Sequence, residues 1–101
     1  MEEHDALNIA LKLLIKRGIA NSSHIEVVLH KKFPSMSKDA VGQIVSQADE
    51  IVESAIELAN RVCREDISRE DAISAIHQKW PMLTDDSLEE LYTHAWFIAV
   101  R

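Results

Sequence analysis

Residues 29–39 read LHKKFPSMSKD and residues 76–86 read IHQKWPMLTDD, and these two segments decide the fold. In each segment an aromatic residue precedes a proline, which disfavours the α conformation of the residue before it. Three residues after each proline stands a serine or a threonine, whose side chain can cap the next helix. The sequence therefore predicts the same sharp corner between two helices at Phe33–Pro34 and at Trp80–Pro81.

The similarity of the two corners extends along the chain in both directions. A shift of 47 residues downstream and of 48 residues upstream pairs apolar residues with apolar residues: Val41 with Leu88, Ile44 with Leu91, Ala48 with Ala95, Leu7 with Ala55, and Leu11 with Ala59. We therefore predict an internal repeat of residues 6–52 and 54–100 within a single helical domain of residues 1–101. Caps and apolar spacing alone would align many helical hairpins, so the aromatic–proline corner is the strongest part of the match.

Apolar residues recur at intervals of three and four along most of the chain, which predicts helices rather than strands. Gly18 is suited to end the first helix, and four residues are suited to start the later ones: Ser23, Ser37, Ser68 and Thr84. A continuous apolar seam predicts one long central helix of about residues 37–63. The predicted fold class is therefore all-α, with about five helices in two tandem three-helix, helix-turn-helix-like units that share the central helix.

The composition excludes several classes of protein. Only 2 glycines and 2 prolines in 101 residues argue against disordered linkers and turn-rich β folds. The single cysteine, Cys63, excludes an internal disulfide and the common zinc sites that need two or more thiolates. The five histidines form no metal-ligand pattern, and no glycine-rich phosphate loop or nucleophile elbow occurs. We therefore expect no enzyme activity, no metal and no cofactor.

The location of the protein is predicted from what its sequence lacks. The longest purely apolar run, residues 95–100, is too short to cross a membrane. The chain does not open with the basic and apolar regions of a signal peptide. We expect a cytoplasmic protein without membrane contact.

The net charge of −6 is unevenly distributed. Residues 1–48 carry six basic and five acidic side chains, whereas residues 49–101 carry five basic and twelve acidic ones. Nucleic-acid binding normally requires a basic face, so this acidity argues against a nucleic-acid partner. A protein partner with a basic surface is favoured instead, and an ordinary solvated face is the alternative.

The acidic half also holds most of the aromatic side chains, which are candidates for contacts with a partner. Trp96 and Phe97 are adjacent, so on a helix they point about 100° apart and a small domain has difficulty burying both. Core packing is the alternative for Trp80 and Tyr92. The predicted partner-binding residues are these aromatics and the acidic start of the last helix: Trp96, Phe97, Trp80, Asp85, Asp86, Glu89 and Glu90.

These features predict a small, acidic, non-catalytic protein-interaction module, a regulator or inhibitor that binds and occludes or bridges its partner. A basic protein that handles nucleic acid is one such partner, and a phage or mobile-element origin would suit a protein of this kind. We also expect a homodimer, because the apolar seam of the central helix is broadened by four residues that one short chain has difficulty covering: Val45, Val52, Ile56 and Ala59.

Two alternative functions stay open. The first is a dimeric helix-turn-helix transcriptional regulator that contacts DNA through Lys31, Lys32 and Lys38. The second comes from residues 33–45, FPSMSKDAVGQIV, and 52–58, VESAIEL, which resemble the CUE ubiquitin-binding domain over about a quarter of the chain.

The resemblance to the CUE family implies a three-helix unit that binds ubiquitin through Phe33 and Pro34. The chain departs from the family pattern at Lys32, where the family has a methionine, and at Leu58–Ala59, where the family has a leucine pair. No glycine interrupts the helix near residues 49–50.

Overall fold

The structure is a computed structural model that describes residues 2–17 and 22–100. It contains five helices: α1 Glu2–Arg17, α2 Ser22–Lys32, α3 Lys38–Cys63, α4 Arg69–Lys79 and α5 Asp85–Ala99. The described residues contain no strand, so the all-α prediction is confirmed. The chain divides into two compact units, a first unit of Met1–Glu50 and a second unit of Ile51–Arg101.

Three of the predicted helix caps form. Each cap side chain accepts a hydrogen bond from the backbone amide three residues later, at 3.1 Å for Ser37 Oγ, 3.1 Å for Ser68 Oγ and 3.2 Å for Thr84 Oγ1. These bonds satisfy amides that the first turn of a helix leaves without a partner. Because α2 begins at Ser22, Ser23 lies inside that helix and does not precede it; its side chain, like all of Gly18, is outside the described residues.

The two aromatic–proline corners have the same backbone hydrogen bonds. The amides of Phe33 and Trp80 donate to the carbonyls four residues before them, at 2.8 Å and 2.9 Å. The amides of Met36 and Leu83 then donate to the carbonyls of those two aromatic residues, at 3.1 Å and 3.2 Å. The bounds of α2 and α4 also lie 47 residues apart, as do the first residues of α3 and α5. The corners and these helix bounds therefore match in position, and the repeat over residues 6–52 and 54–100 stays a prediction.

Helix α3 ends in a Schellman turn. The amide of Asp66 donates to the carbonyl of Arg61 at 3.0 Å, and the amide of Glu65 donates to the carbonyl of Val62 at 3.0 Å. Glu65 has a φ of 63°, in the left-handed region that favours glycine. A side chain in this conformation costs about 1 kcal/mol or more.

Apolar side chains from the helices form the core. In the first unit α1 and α2 bury the side chains of Ala6, Leu7, Ala10, Leu11, Leu14, Ile25 and Leu29. In the second unit α4 and α5 bury those of Ala72, Ile76, Leu88, Leu91, Tyr92 and Ala95.

The residues that broaden the apolar seam of α3 are covered within the single chain. Val45, Val52 and Ala59 are buried, and Ile56 is half-buried. The need to cover this seam is therefore no longer a reason to expect a homodimer. No helix in the described part of the chain has both the length and the apolar character needed to cross a membrane.

Candidate protein-interaction surface

Helix α5 keeps one side exposed along its whole length. Exposed residues recur there at steps of four, three, four and three, which places them on one face of a helix. We call this surface the α5 face and define it by Asp86, Glu90, Thr93, Phe97 and, just beyond the helix, Val100. The beginning of the α5 face is acidic and its end is apolar. The neighbouring Asp85 and Glu89 are exposed as well and extend the acidic part.

The apolar end of the α5 face leaves large side chains in water. Phe97 is 62% exposed and Val100 is 52% exposed. Burying an aromatic or a large aliphatic side chain contributes about 1.5–3 kcal/mol, and this contribution is mostly unused here. Single exposed apolar residues are common on protein surfaces, but these two lie three residues apart on the same face, and Phe97 also lines a cavity.

The cavity lies in the second unit and has a volume of about 290 Å³. Its walls come from the end of α3, the start of α4 and the second half of α5: Val62, Arg69, Tyr92, Thr93, Trp96 and Phe97. The rings of Tyr92 and Trp96 stack with their centroids 6.4 Å apart and an interplanar angle of 24°. Arg69 Cζ lies 5.3 Å from the centroid of the Tyr92 ring, in cation–π distance.

Tyr92 is the polar residue buried most deeply beside the cavity. It is 3% exposed, and its hydroxyl group has no hydrogen-bond partner among the described residues. Burial raises the pKa of Tyr92 because it disfavours the charged phenolate; the positive charge of Arg69 acts in the opposite direction, and negative charge on Cys63 adds to the rise. The tyrosine is therefore neutral at physiological pH.

The structure separates the predicted aromatic residues into three environments. Trp80 is only 5% exposed and belongs to the core of the second unit, with Lys79 Nζ 4.8 Å from its ring centroid. Trp96 is half-buried against Tyr92, and Phe97 is exposed. Phe97 is thus the most accessible of the predicted rings, and Trp80, for which core packing was the stated alternative, is buried.

The predicted acidic residues lie together in the first two turns of α5. Asp85, Asp86, Glu89 and Glu90 are all exposed. Asp85 and Asp86 follow the N-cap, where a negative charge interacts favourably with the helix dipole. Part of this acidity therefore has a structural reason, and Glu89 and Glu90 are the residues without one.

Sequence reasoning missed Arg69 and Val62, which complete the cavity. The signal for Arg69 was present, because a cation at the first position of a helix is disfavoured by the helix dipole. Arg69 occupies that position in α4. Lys38 occupies the same position in α3, so this signal alone does not distinguish Arg69 from Lys38.

The lysines of the alternative DNA-binding prediction are exposed, and one of them, Lys38, lies among carboxylates. Lys31 and Lys32 end α2, and Lys38 begins α3. Lys38 lines an open polar cleft of about 920 Å³ in the first unit, together with the carboxylates of Glu26, Asp39 and Glu50. Phosphate groups would meet negative as well as positive charge in this cleft.

The residues implied by the CUE resemblance are accessible in part. Phe33 is half-buried and Pro34 is exposed. Helix α3 runs without interruption through residues 49–50, so the first unit lacks a helix break at this place.

The Cys63 thiol is exposed and free. Within residues 2–17 and 22–100, no three histidine, cysteine, aspartate or glutamate side chains are placed to hold a metal ion.

Comparison with known proteins gives no relative. No protein-family model, no curated protein and no solved structure matches this chain. The likeness of residues 33–58 to the CUE family therefore rests on the residues quoted for it alone.

Proposed function

We propose that this protein is a non-catalytic interaction module that binds a partner protein through the α5 face and regulates or inhibits it by occlusion or bridging. The observation that carries the proposal is the exposed Phe97 side chain at the apolar end of a face whose other end is acidic. Aromatic residues surrounded by polar groups supply most of the binding energy in many protein interfaces.

The two ends of the α5 face have different roles in this proposal. Phe97 and Val100 enter an apolar recess of the partner and are removed from water, which slows dissociation. Asp86, Glu89 and Glu90 face basic side chains of the partner and accelerate association at low salt. The partner is therefore expected to present an apolar recess beside a basic patch.

The same arrangement supports a protein partner over DNA. Phosphate would be repelled by the acidic start of α5, and the carboxylates around Lys38 weaken the attraction of the first unit. A transcriptional regulator that uses Lys31, Lys32 and Lys38 is the rival outcome of the experiment.

The experiment is affinity capture from the lysate of the native host, with nuclease added, followed by mass spectrometry. Five immobilised proteins are compared: the natural chain, Phe97→Ser, the double variant Glu89→Lys/Glu90→Lys, and two controls. Val27→Ser removes an equally exposed apolar residue from α2 (51% exposed). Glu53→Lys/Glu57→Lys makes the same change of charge at exposed positions of α3.

We expect one stoichiometric protein on the natural chain and on both controls. It should be lost with Phe97→Ser at all salt concentrations, and the Glu89→Lys/Glu90→Lys variant should retain it weakly with little salt dependence. Equal capture by Phe97→Ser and Val27→Ser would refute the α5 face as the interface. Capture that nuclease abolishes, and that charge reversal at Lys31, Lys32 and Lys38 removes, would establish the DNA-binding alternative.

The predicted homodimer can be tested on the same variants. Since the α3 seam is covered within one chain, we expect a second copy to use the apolar end of the α5 face, where two of the large exposed apolar residues lie. Light scattering on the natural chain and on Phe97→Ser distinguishes the cases. If the natural chain is a dimer and Phe97→Ser is a monomer, the second copy competes with the partner for the α5 face. If both proteins are monomers, the homodimer prediction is wrong.

A further inference from the structure

We propose that the cavity between α4 and α5 is a binding site for a small amphiphilic anion, a single aromatic ring that carries a carboxylate on a short chain. The site uses the walls of the cavity of about 290 Å³, with Arg69 as the anion-binding group. This proposal goes beyond the protein interaction and requires no partner protein.

The walls and the volume select the apolar part of the ligand. Val62, Tyr92, Trp96 and Phe97 provide aliphatic and aromatic surface on several sides. Aromatic rings pair favourably in offset stacks with centroids about 4.5–7 Å apart, and the Tyr92–Trp96 pair already has this geometry. Ligand pockets begin at about 300 Å³, so this cavity accommodates one ring and a short chain and excludes larger ligands.

Arg69 selects the charge of the ligand. It is the single charged residue among those that line the cavity. No ion pair joins it to a carboxylate of the described residues, and its guanidinium group lies over the face of the Tyr92 ring. A guanidinium group offers a planar set of donors that matches a carboxylate in two parallel hydrogen bonds. An anionic group at the cavity therefore gains a charge-assisted contact that the protein does not itself supply.

The Tyr92 hydroxyl group is a second, independent indication of a ligand. It is buried, belongs to a residue of the cavity wall, and has no partner within the described part of the chain. A buried hydroxyl without a hydrogen bond is destabilising, and native proteins rarely contain one without a reason. The hydroxyl oxygen is shielded from solvent, so an acceptor oxygen of a ligand reaches it only when a side chain of the cavity wall moves aside.

The first unit shows whether the cavity residues are needed to form the fold, because it contains the same corner with other residues at the matching positions. The residues 47 positions before Arg69, Tyr92, Thr93, Trp96 and Phe97 are, in order, Ser22, Val45, Ser46, Asp49 and Glu50. The corner and the helices around it thus form without a cation, stacked rings or an apolar cavity wall. The cavity residues of the second unit are therefore not explained by the architecture.

The experiment is a titration followed by ¹H–¹⁵N correlation spectra of the full chain, with three probes of the same shape: 3-phenylpropionate, 3-phenylpropanol and 3-phenylpropylamine. We expect weak, saturable binding of the carboxylate, with the largest shifts at the amides of Thr93 and Phe97 and at the Trp96 indole. The alcohol and the amine should bind about tenfold more weakly, the difference that one hydrogen bond to a charged group makes.

Two variants and a control assign the binding to the cavity. Arg69→Gln should lower the affinity for the carboxylate about tenfold and leave the alcohol unchanged. Arg61→Gln removes an exposed arginine of α3 that does not line the cavity, and should have no effect. Thr93→Phe fills the cavity from an exposed position, so it should abolish binding of all three probes without unfolding the protein.

Three results would overturn the proposal. These are the absence of saturable shifts with 3-phenylpropionate, equal binding of the carboxylate and the amine, and equal effects of Arg69→Gln and Arg61→Gln. Each of them leaves the protein-interaction proposal intact, because capture by the α5 face is measured without these probes. Loss of the partner with Phe97→Ser likewise does not depend on whether a small anion binds.

Discussion

The two aromatic–proline corners have the same backbone and different interiors. At the first corner the side chains of Phe33, Met36 and Ala40 are half-buried, whereas at the second corner the side chains 47 residues later, Trp80, Leu83 and Ser87, are buried. Proline and the following cap act on the backbone of the few residues next to them, and both corners contain them. The two corners therefore have the same backbone. Burial of the side chains depends on the neighbouring helices. The comparison shows that corners with the same backbone can differ in how far their side chains are buried.

The comparison predicts its largest effect for the aromatic side chains. Trp80→Ala should lower the free energy of unfolding by about 3–5 kcal/mol, because it leaves a large void in the core. Phe33→Ala should lower it by about 1–2 kcal/mol, since its ring is only partly removed from water. Urea denaturation followed by circular dichroism measures both. Equal losses would mean that the two corners are packed alike.

Removing a helix cap should also destabilise the second corner more than the first, by a smaller amount than removing the aromatic ring. Thr84→Ala should lower the free energy of unfolding by about 1–2 kcal/mol, because Thr84 Oγ1 is part-buried and also donates to the buried Ser87 Oγ at 3.0 Å. Ser37→Ala removes an exposed bond and should lower it by about 0.5–1 kcal/mol. Thermal denaturation of both variants checks the order. A larger loss for Ser37→Ala would contradict the deeper packing of the second corner.

The turn that ends α3 gives a prediction of opposite sign. Glu65 has a left-handed conformation there, at the position where glycine is most often found. Glu65→Gly should therefore stabilise the protein by about 1 kcal/mol. As a control, Glu57→Gly, at an exposed position inside α3, should destabilise it by about 1 kcal/mol. Destabilisation by both substitutions would show that the Glu65 side chain has a role outside the turn.

The smallest effect on stability near neutral pH is expected for a substitution of Tyr92. The matching position of the first unit, 47 residues earlier, is Val45. Tyr92→Phe removes a buried hydroxyl without a partner, so stability at pH 7 should be unchanged or slightly higher. The raised pKa of Tyr92 adds a pH dependence. Stability is complete below about pH 10, where tyrosine is neutral in both states, and is lost as the pH rises through the folded pKa, because the unfolded chain ionises first.

The comparison of Tyr92→Phe with the natural chain isolates this contribution from the titration of lysines. Tyr92 is the only tyrosine of the chain, so the absorbance of tyrosinate reports this one residue directly. The natural chain should lose more stability than Tyr92→Phe above pH 10. Parallel pH profiles would show that the hydroxyl is not desolvated.

The sequence predicted the parts of the fold that depend on near neighbours. The caps at Ser37, Ser68 and Thr84, and the end of α2 before Pro34, follow from interactions over three or four residues. The same reasoning could not decide that Trp80 is buried while Phe97 is exposed. Both are aromatic residues on helical segments, and their burial depends on what other segments pack against them.

The cavity was even less accessible to sequence reasoning. Its walls join Val62 at the end of α3, Arg69 at the start of α4 and the second half of α5. No periodicity relates three positions on three helices, because the distance between them is set by the packing of the second unit. The acidic residues at the start of α5 lie on one continuous helix. Their spacing in the sequence was therefore enough to predict them as a group.

The stacked rings of Tyr92 and Trp96 have an optical consequence. With their centroids 6.4 Å apart, light absorbed by the one tyrosine passes to the indole before the phenol can emit. The folded protein should therefore fluoresce as a tryptophan protein whichever ring is excited, and the share of tyrosine emission should rise when α5 unfolds and the two rings separate. Tyr92 thus marks the unfolding of its own unit without any attached label.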